Sequence, residues 1–110
     1  MATTISINIM DAKDKTKIEK TYEVSGYDLM MGTVEDFMAI IDIDALEDRA
    51  AVAKMVLKGM SQIKPLIMDV FAEMTDDEFK RVKVNDLVNT IGLIGASVVE
   101  NLDFLKREKN

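Results

Sequence analysis

The sequence predicts an α+β fold that is mostly α, with an N-terminal β-hairpin followed by four or five helices. Apolar residues alternate with polar ones at the start of the chain, and from about residue 33 they recur every three or four positions. The chain has 110 residues, of which 48% are apolar and 31% are charged, and this composition is typical of one globular core. We therefore expect a single domain over residues 1–110.

Two short segments near the N-terminus carry an apolar residue at every second position. These residues are Ile5, Ile7 and Ile9, then Ile18, Tyr22 and Val24. A period of two predicts strands over about 3–10 and 16–24, joined by a short polar connection. Because a hairpin alone is marginally stable in water, the helices are expected to cover its isoleucine face.

The rest of the chain predicts helices at about 33–41, 45–61, 65–73, 76–83 and 86–106. The longest apolar stripe runs from Val52 to Met74 in steps of three or four residues. Pro65 interrupts this stripe without changing its phase. Since proline has no N–H and its ring displaces the preceding turn, we expect a break or sharp kink near 61–65.

Several polar residues are expected to begin these helices. Thr33, Asp44 and Asn85 each precede an apolar helical pattern and could accept a hydrogen bond from a first-turn N–H. Thr75 and Glu78 have the spacing of a capping box, in which each side chain bonds the other residue's backbone. A helix is therefore expected to start at residue 76.

The composition argues against an enzyme. The chain has neither Cys nor His, which removes disulfides, thiolate metal sites and the commonest general base. Its net charge is −6, from 14 basic and 20 acidic residues, and residues 28–48 hold seven carboxylates without one Lys or Arg. A net acidic domain repels phosphate, so we expect no nucleic-acid binding.

Two clusters of carboxylates have a simpler explanation than chemistry. A calcium loop starting at Asp42 would need glycine at its sixth position and glutamate at its twelfth, where the chain has Glu47 and Ala53. Asp76 and Asp77 suit the first turn of a helix, where the dipole favours acids. We expect no catalytic residue, no metal and no cofactor.

No segment is apolar enough for a membrane. The longest nearly apolar stretch is residues 91–99, whereas a spanning helix needs about 20 residues. The first residues also lack the basic and apolar regions of a secretion signal. We expect a cytoplasmic protein that does not bind membranes.

Methionine is unusually frequent, with nine in the chain and seven of them from Met30 to Met74. Methionine fills irregular cores, and it also lines adaptable surfaces that accept varied partners. Both interpretations stay open for the methionines of the acidic region. If an apolar partner is bound, the candidate contacts are Met30, Met31, Phe37, Met38, Phe71 and Phe79, although a core position is favoured for the last two.

Residues 63–88 carry the most distinctive pattern. Lys64-Pro65 opens an apolar helix that leads to Phe71, and Thr75 with three acids precedes a second helix start. This segment resembles the tail assembly chaperones of long-tailed phages and prophages of Gram-positive bacteria. The order of hairpin, acidic middle and helical C-terminal half is also similar. The pair Ala72-Glu73 departs from the family, where a Pro-Gly-like turn is expected.

The resemblance implies a non-enzymatic assembly factor. Such proteins bind the tape-measure protein, keep it soluble, and help the tail-tube protein assemble around it. They act in the cytoplasm of the bacterial host and are absent from the mature virion. The alternative is a small acidic adaptor or inhibitor domain that binds a host or phage protein, with residues 28–48 imitating phosphate.

The resemblance also implies a longer form made by ribosomal frameshifting. The last residues, Glu108-Lys109-Asn110, can be encoded by a slippery A-AAA-AAC run, although other codons encode them equally well. A homo-oligomer and association with the longer form are further expectations.

Overall fold

The computed structural model describes the backbone of residues 3–109 and the side chains of residues 3–101. Its strands are β1 (Thr4–Met10) and β2 (Ile18–Ser25), and its helices are α1 (Met31–Ile40), α2 (Arg49–Lys58), α3 (Met60–Val70), α4 (Asp76–Lys80) and α5 (Val84–Lys109). Single 3-10 turns lie at Gly26–Asp28 and Ile43–Ala45. A hairpin followed by five helices confirms the predicted α+β, mostly α fold class.

The hairpin is antiparallel, with Ile5 opposite Val24 and Ile7 opposite Tyr22. The isoleucines of β1 are buried, whereas most of β2 is exposed. The predicted period of two is therefore confirmed for β1, whose apolar face lies against α5. This contact supplies the cover that an isolated hairpin lacks.

The core lies between the isoleucine face of β1 and the apolar sides of the helices. Helix α5 packs on β1 and α2, and α1 packs on α3. Apolar residues of α5 recur every three or four positions, and Leu87, Ile91, Ile94 and Val98 of this stripe are buried. Its remaining members, Leu102 and Leu105, lie outside the described side chains.

The break in the long apolar stripe lies at Gly59, so the expected break at 61–65 is wrong. The N–H of Gly59 donates to the Met55 carbonyl at 2.9 Å, and its own carbonyl accepts from the N–H of Ile63 at 2.8 Å. A Cβ at Gly59 would lie 3.1 Å from that Met55 oxygen and 3.2 Å from Ile40, closer than side chains normally pack. Pro65 instead lies inside α3, on its exposed side, as does Ser61, whose carbonyl loses the N–H partner four residues on.

Three of the expected helix caps are also wrong. Thr33 is buried within α1, Asp44 lies in the second 3-10 turn, and Asn85 lies in the first turn of α5. Helix α2 is capped by Asp48, whose carboxylate accepts from the N–H groups of residues 50 and 51. Tertiary contacts select among nearby cap residues: Thr33 packs into the core, and Asn85 accepts a hydrogen bond from Arg49 of α2.

Candidate partner-binding surface

Exposed apolar side chains concentrate at one place in the described part of the chain. Eight large hydrophobic residues are exposed among the described side chains, and four of the eight fall within the twelve residues 27–38. They are Tyr27 (64% exposed), Met30 (74%), Met31 (69%) and Met38 (50%). We call this set the methionine surface.

Helix α1 presents the methionines because its opposite side is anchored in the core. Thr33 and Phe37, four residues apart, are buried on that side. Met31 and Met38 are seven residues apart, so they lie two turns from each other along one exposed side of the helix. The anchoring of α1 on α3 therefore gives these two side chains a defined direction.

Tyr27 is held beside the start of α1 by the first 3-10 turn. The Ser25 hydroxyl accepts from the N–H of Tyr27 at 3.2 Å, and the N–H of Gly26 donates to the Thr3 carbonyl at 2.8 Å. Gly26 is required by close approach, because a Cβ there would lie 2.5 Å from the Ser97 hydroxyl on α5. The turn thus fixes the chain against α5 and leaves the tyrosine ring exposed.

The structure divides the six candidate contacts predicted from the sequence. Met30, Met31 and Met38 are exposed and close together in the chain, whereas Phe37 and Phe71 are buried. This burial corrects the expectation that Phe37 could meet a partner at the surface, since it lies on the anchored side of α1. Phe71 belongs to the core, 6.3 Å from the ring of Tyr22.

Phe79 is partly buried and separate from the methionine surface. Its ring lies beneath the Lys64 ammonium at 5.7 Å, on α4. Tyr27 is not among the six contacts predicted from the sequence. The structure adds it because the 3-10 turn at Gly26 leaves its ring exposed close to Met30 in the chain. A tyrosine following glycine, three residues before a Met-Met pair, was the available signal.

Carboxylates lie on α1 and just before it in the chain. Asp28, Glu35 and Asp36 are all exposed. The four ion pairs found among the described side chains involve none of the seven carboxylates between residues 28 and 48. A partner that covers this region therefore meets apolar side chains together with carboxylates that belong to none of the ion pairs among the described side chains.

An open groove of about 290 Å³ runs between α1 and α3. It is lined by Asp36, Ala39, Ile40, Ser61, Gln62, Pro65 and Leu66. Because Pro65 has no N–H, the Ser61 carbonyl receives no hydrogen bond from the residue four positions on. The groove thus combines apolar walls with a carboxylate and a backbone acceptor.

A smaller cavity of about 60 Å³ lies at the other end of α1. Asp28 and Met30 line it together with Asp69 of α3, as do Val24, Leu29, Thr33 and Val70. Both ends of α1 therefore place an apolar wall next to a carboxylate.

Within residues 3–101, no group of three or more acidic side chains is arranged to hold a metal ion. No helix of the described chain is both long and apolar enough to cross a membrane. Comparison with known protein families, curated proteins and solved structures finds no match to this chain.

Proposed function

We propose that this protein is a non-enzymatic phage tail assembly chaperone that binds the tape-measure protein and assists assembly of the tail-tube protein around it. The observation that carries the proposal is the methionine surface, to which the resemblance of residues 63–88 gives a biological setting. In this proposal the protein works in the cytoplasm of the bacterial host and leaves before the virion is mature.

The chemistry of the methionine surface suits such a partner. Methionine is unbranched and polarisable, so one surface can adapt to many apolar helices without a fixed shape. A chaperone for a long helical protein needs this tolerance, because it must release each segment when the tube forms. Met31 and Met38 supply adaptable apolar contact on one side of α1, and Tyr27 and Met30 add exposed apolar side chains just before the helix.

The segment that carries the resemblance packs against α1, the helix that presents Met31 and Met38. Residues 63–88 span most of α3, all of α4 and the start of α5. Ile63, Leu66 and Ile67 of this segment are buried in the core beside α1. In this proposal the resembling residues form the scaffold, and α1 makes the contact.

The test is co-expression of the chain with overlapping fragments of a tape-measure protein encoded in the same genome, followed by pull-down. Met31→Asp with Met38→Asp is expected to weaken retention of the bound fragment about tenfold or more, because two charges replace apolar contacts. Circular dichroism should show unchanged helix content, since both side chains are exposed.

A matched control replaces two equally exposed apolar residues at the far end of the hairpin, Ile18→Asp with Val84→Asp. Ile18 pairs with Met10 there, and the N–H of Met10 donates to the Arg81 carbonyl, which brings the start of α5 to the same end. The control should retain the fragment. Equal loss in both double variants, or no capture of any fragment by the unaltered chain, contradicts the proposal.

A second candidate is an acidic adaptor or inhibitor domain that binds a host or phage protein. It is favoured by the seven carboxylates of residues 28–48, none of which is ion-paired among the described side chains. For this function, removal of those charges should abolish binding while the Met31 and Met38 double variant binds normally. The chaperone predicts the reverse order of effects.

The chaperone proposal includes a longer product made by frameshifting and association of the two forms in a homo-oligomer or mixed oligomer. The codons for residues 106–110 and the following bases test the first point. A slippery A-rich run that opens into an overlapping −1 frame supports the longer product, and its absence removes that part of the proposal. Size-exclusion chromatography with light scattering tests the oligomer.

A further inference from the structure

We infer that the methionine surface selects an amphipathic helix whose polar side is basic. The apolar side of this partner packs on the methionines, and its Lys or Arg side chains pair with the carboxylates that border them. This inference rests on the proposed use of the surface for docking, and it names the class of segment that docks.

The order of residues along α1 places a carboxylate between the two methionines. Glu35 lies four residues after Met31 and three before Met38, so it occupies the same exposed side of the helix as both. Its carboxylate belongs to none of the described ion pairs. A partner helix that covers both methionines must therefore also cover, or pass directly beside, this carboxylate.

Carboxylates also lie beside apolar side chains at both ends of α1. The groove beside α3 places Asp36 next to the apolar side chains of Ile40 and Leu66. The small cavity places Asp28 and Asp69 next to Met30. The groove and the small cavity thus each place a carboxylate beside apolar side chains, and the cavity includes Met30 of the methionine surface.

Desolvation decides which helix fits. A carboxylate that a neutral or acidic helix covers loses water without gaining a partner, which costs free energy. A basic helix replaces that water with a charge-assisted hydrogen bond, and its long side chains also add apolar contact through their methylene groups. The carbonyl of Ser61, which has no N–H four residues on, is a further acceptor in the groove.

The test uses the full chain and two synthetic helical peptides of about 18 residues, long enough for five turns. Both carry leucine at the same positions, and the polar side is lysine in one and glutamate in the other. We expect the basic peptide to bind at least about tenfold more tightly in isothermal calorimetry at low salt. Raising the salt to about 0.5 M should shrink this difference, because exposed charge pairs are screened.

Neutralised variants separate the proposed surface from general attraction to an acidic protein. Asp28→Asn, Glu35→Gln and Asp36→Asn together should lower the preference for the basic peptide to less than about threefold. The control carries Glu23→Gln, Glu73→Gln and Asp86→Asn. Each triple variant removes three negative charges, so the formal net charge changes from −6 to −3 in both. The control should keep the preference.

A neutral change of the methionines tests the apolar part. Met31→Gln with Met38→Gln keeps every charge, so attraction by charge alone predicts unchanged binding of the basic peptide. Docking on the methionine surface predicts about tenfold weaker binding.

The outcomes separate this inference from the proposed function. Equal binding of both peptides overturns the selectivity, while capture of tape-measure fragments would still support the chaperone. Selective peptide binding without capture of any fragment keeps the inference and removes the chaperone. If neither peptide binds, or if both triple variants lose the preference equally, the inference is wrong.

Discussion

Two regions of this molecule differ in whether their carboxylates are paired with other groups of the same chain. Glu78 is paired within the chain: its carboxylate accepts from Lys20 and from the Tyr22 hydroxyl, both at 2.7 Å, and from the N–H of Thr75 at 2.9 Å. On the methionine surface, carboxylates such as Glu35 belong to no described ion pair and lie beside exposed apolar side chains. Pairing within the chain stabilises the fold, whereas groups left unpaired remain available to a partner.

Arg81 extends the paired region from α4 to both strands. Its Nη1 donates to the Met10 carbonyl at 2.7 Å and lies 3.1 Å from a carboxylate oxygen of Glu19, and its Nη2 lies 3.2 Å from Asp77. Arg81 and Glu78 together connect α4 to the hairpin. The paired region is therefore a structural joint between elements distant in the sequence.

The largest difference between the two regions is expected on removal of a carboxylate. Glu78→Ala should lower the free energy of unfolding by about 2 kcal/mol, because Lys20, Tyr22 and Thr75 lose their acceptor. Glu35→Ala should change it by less than about 0.5 kcal/mol, since its side chain is exposed. Urea titrations measure both values. Equal losses of unfolding free energy in the two variants would show that Glu35 stabilises the fold as Glu78 does.

The second prediction concerns acid. The ammonium of Lys20, with the Thr75 N–H and the Tyr22 hydroxyl, lowers the pKa of Glu78 from 4.5 to about 2. A carboxyl whose pKa is lower in the folded chain stabilises the fold above its unfolded pKa, and that contribution is lost as the pH falls through the folded pKa. The contribution of Glu78 should therefore be complete near pH 6 and should disappear between about pH 5 and pH 2.

The change that isolates this effect is Glu78→Gln, which keeps the shape and removes the charge. The difference in free energy of unfolding between the unaltered chain and this variant should be largest near neutral pH and should narrow steadily below pH 5. A difference for Glu78→Gln that does not vary with pH would contradict the ion pair.

The sequence could predict what depends on neighbours in the chain. The capping box of Thr75 and Glu78 is confirmed because its two bonds join residues three apart. The pairing of Glu78 with Tyr22 spans 56 residues, and no local pattern indicates it. Likewise, the narrow space beside Gly59 depends on Ile40 of another helix, which the proline at position 65 could not reveal.

The candidate site was predictable only in part for the same reason. Composition identified Met30, Met31 and Met38, but their exposure depends on which side of α1 meets α3. In the sequence Phe37 follows the acidic residues and stands next to Met38. The helix nevertheless places Phe37 on the buried side of α1, away from the exposed Met31 and Met38. Hydrophobicity alone could not separate an anchor from a contact within one helix.

The smallest expected change in the free energy of unfolding concerns Met30, the residue that precedes α1. Thr75 caps α4 with its hydroxyl, whereas Met30 precedes α1 with backbone angles suited to a cap (φ −81°, ψ 150°) and no side-chain hydrogen bond. Met30→Asp should therefore raise the free energy of unfolding by about 1 kcal/mol, because the new carboxylate accepts from a first-turn N–H and favours the helix dipole. Met30→Ala should give no such gain.

Both changes at Met30 should weaken capture of tape-measure fragments, because each removes apolar contact from the methionine surface. Thermal unfolding and pull-down on the same two variants separate stability from binding. If Met30→Asp fails to stabilise the chain, the methionine contributes packing in the small cavity that it shares with Asp28. If it stabilises the chain and binds less, methionine at this position favours binding over stability, as expected for a surface whose partner is another protein.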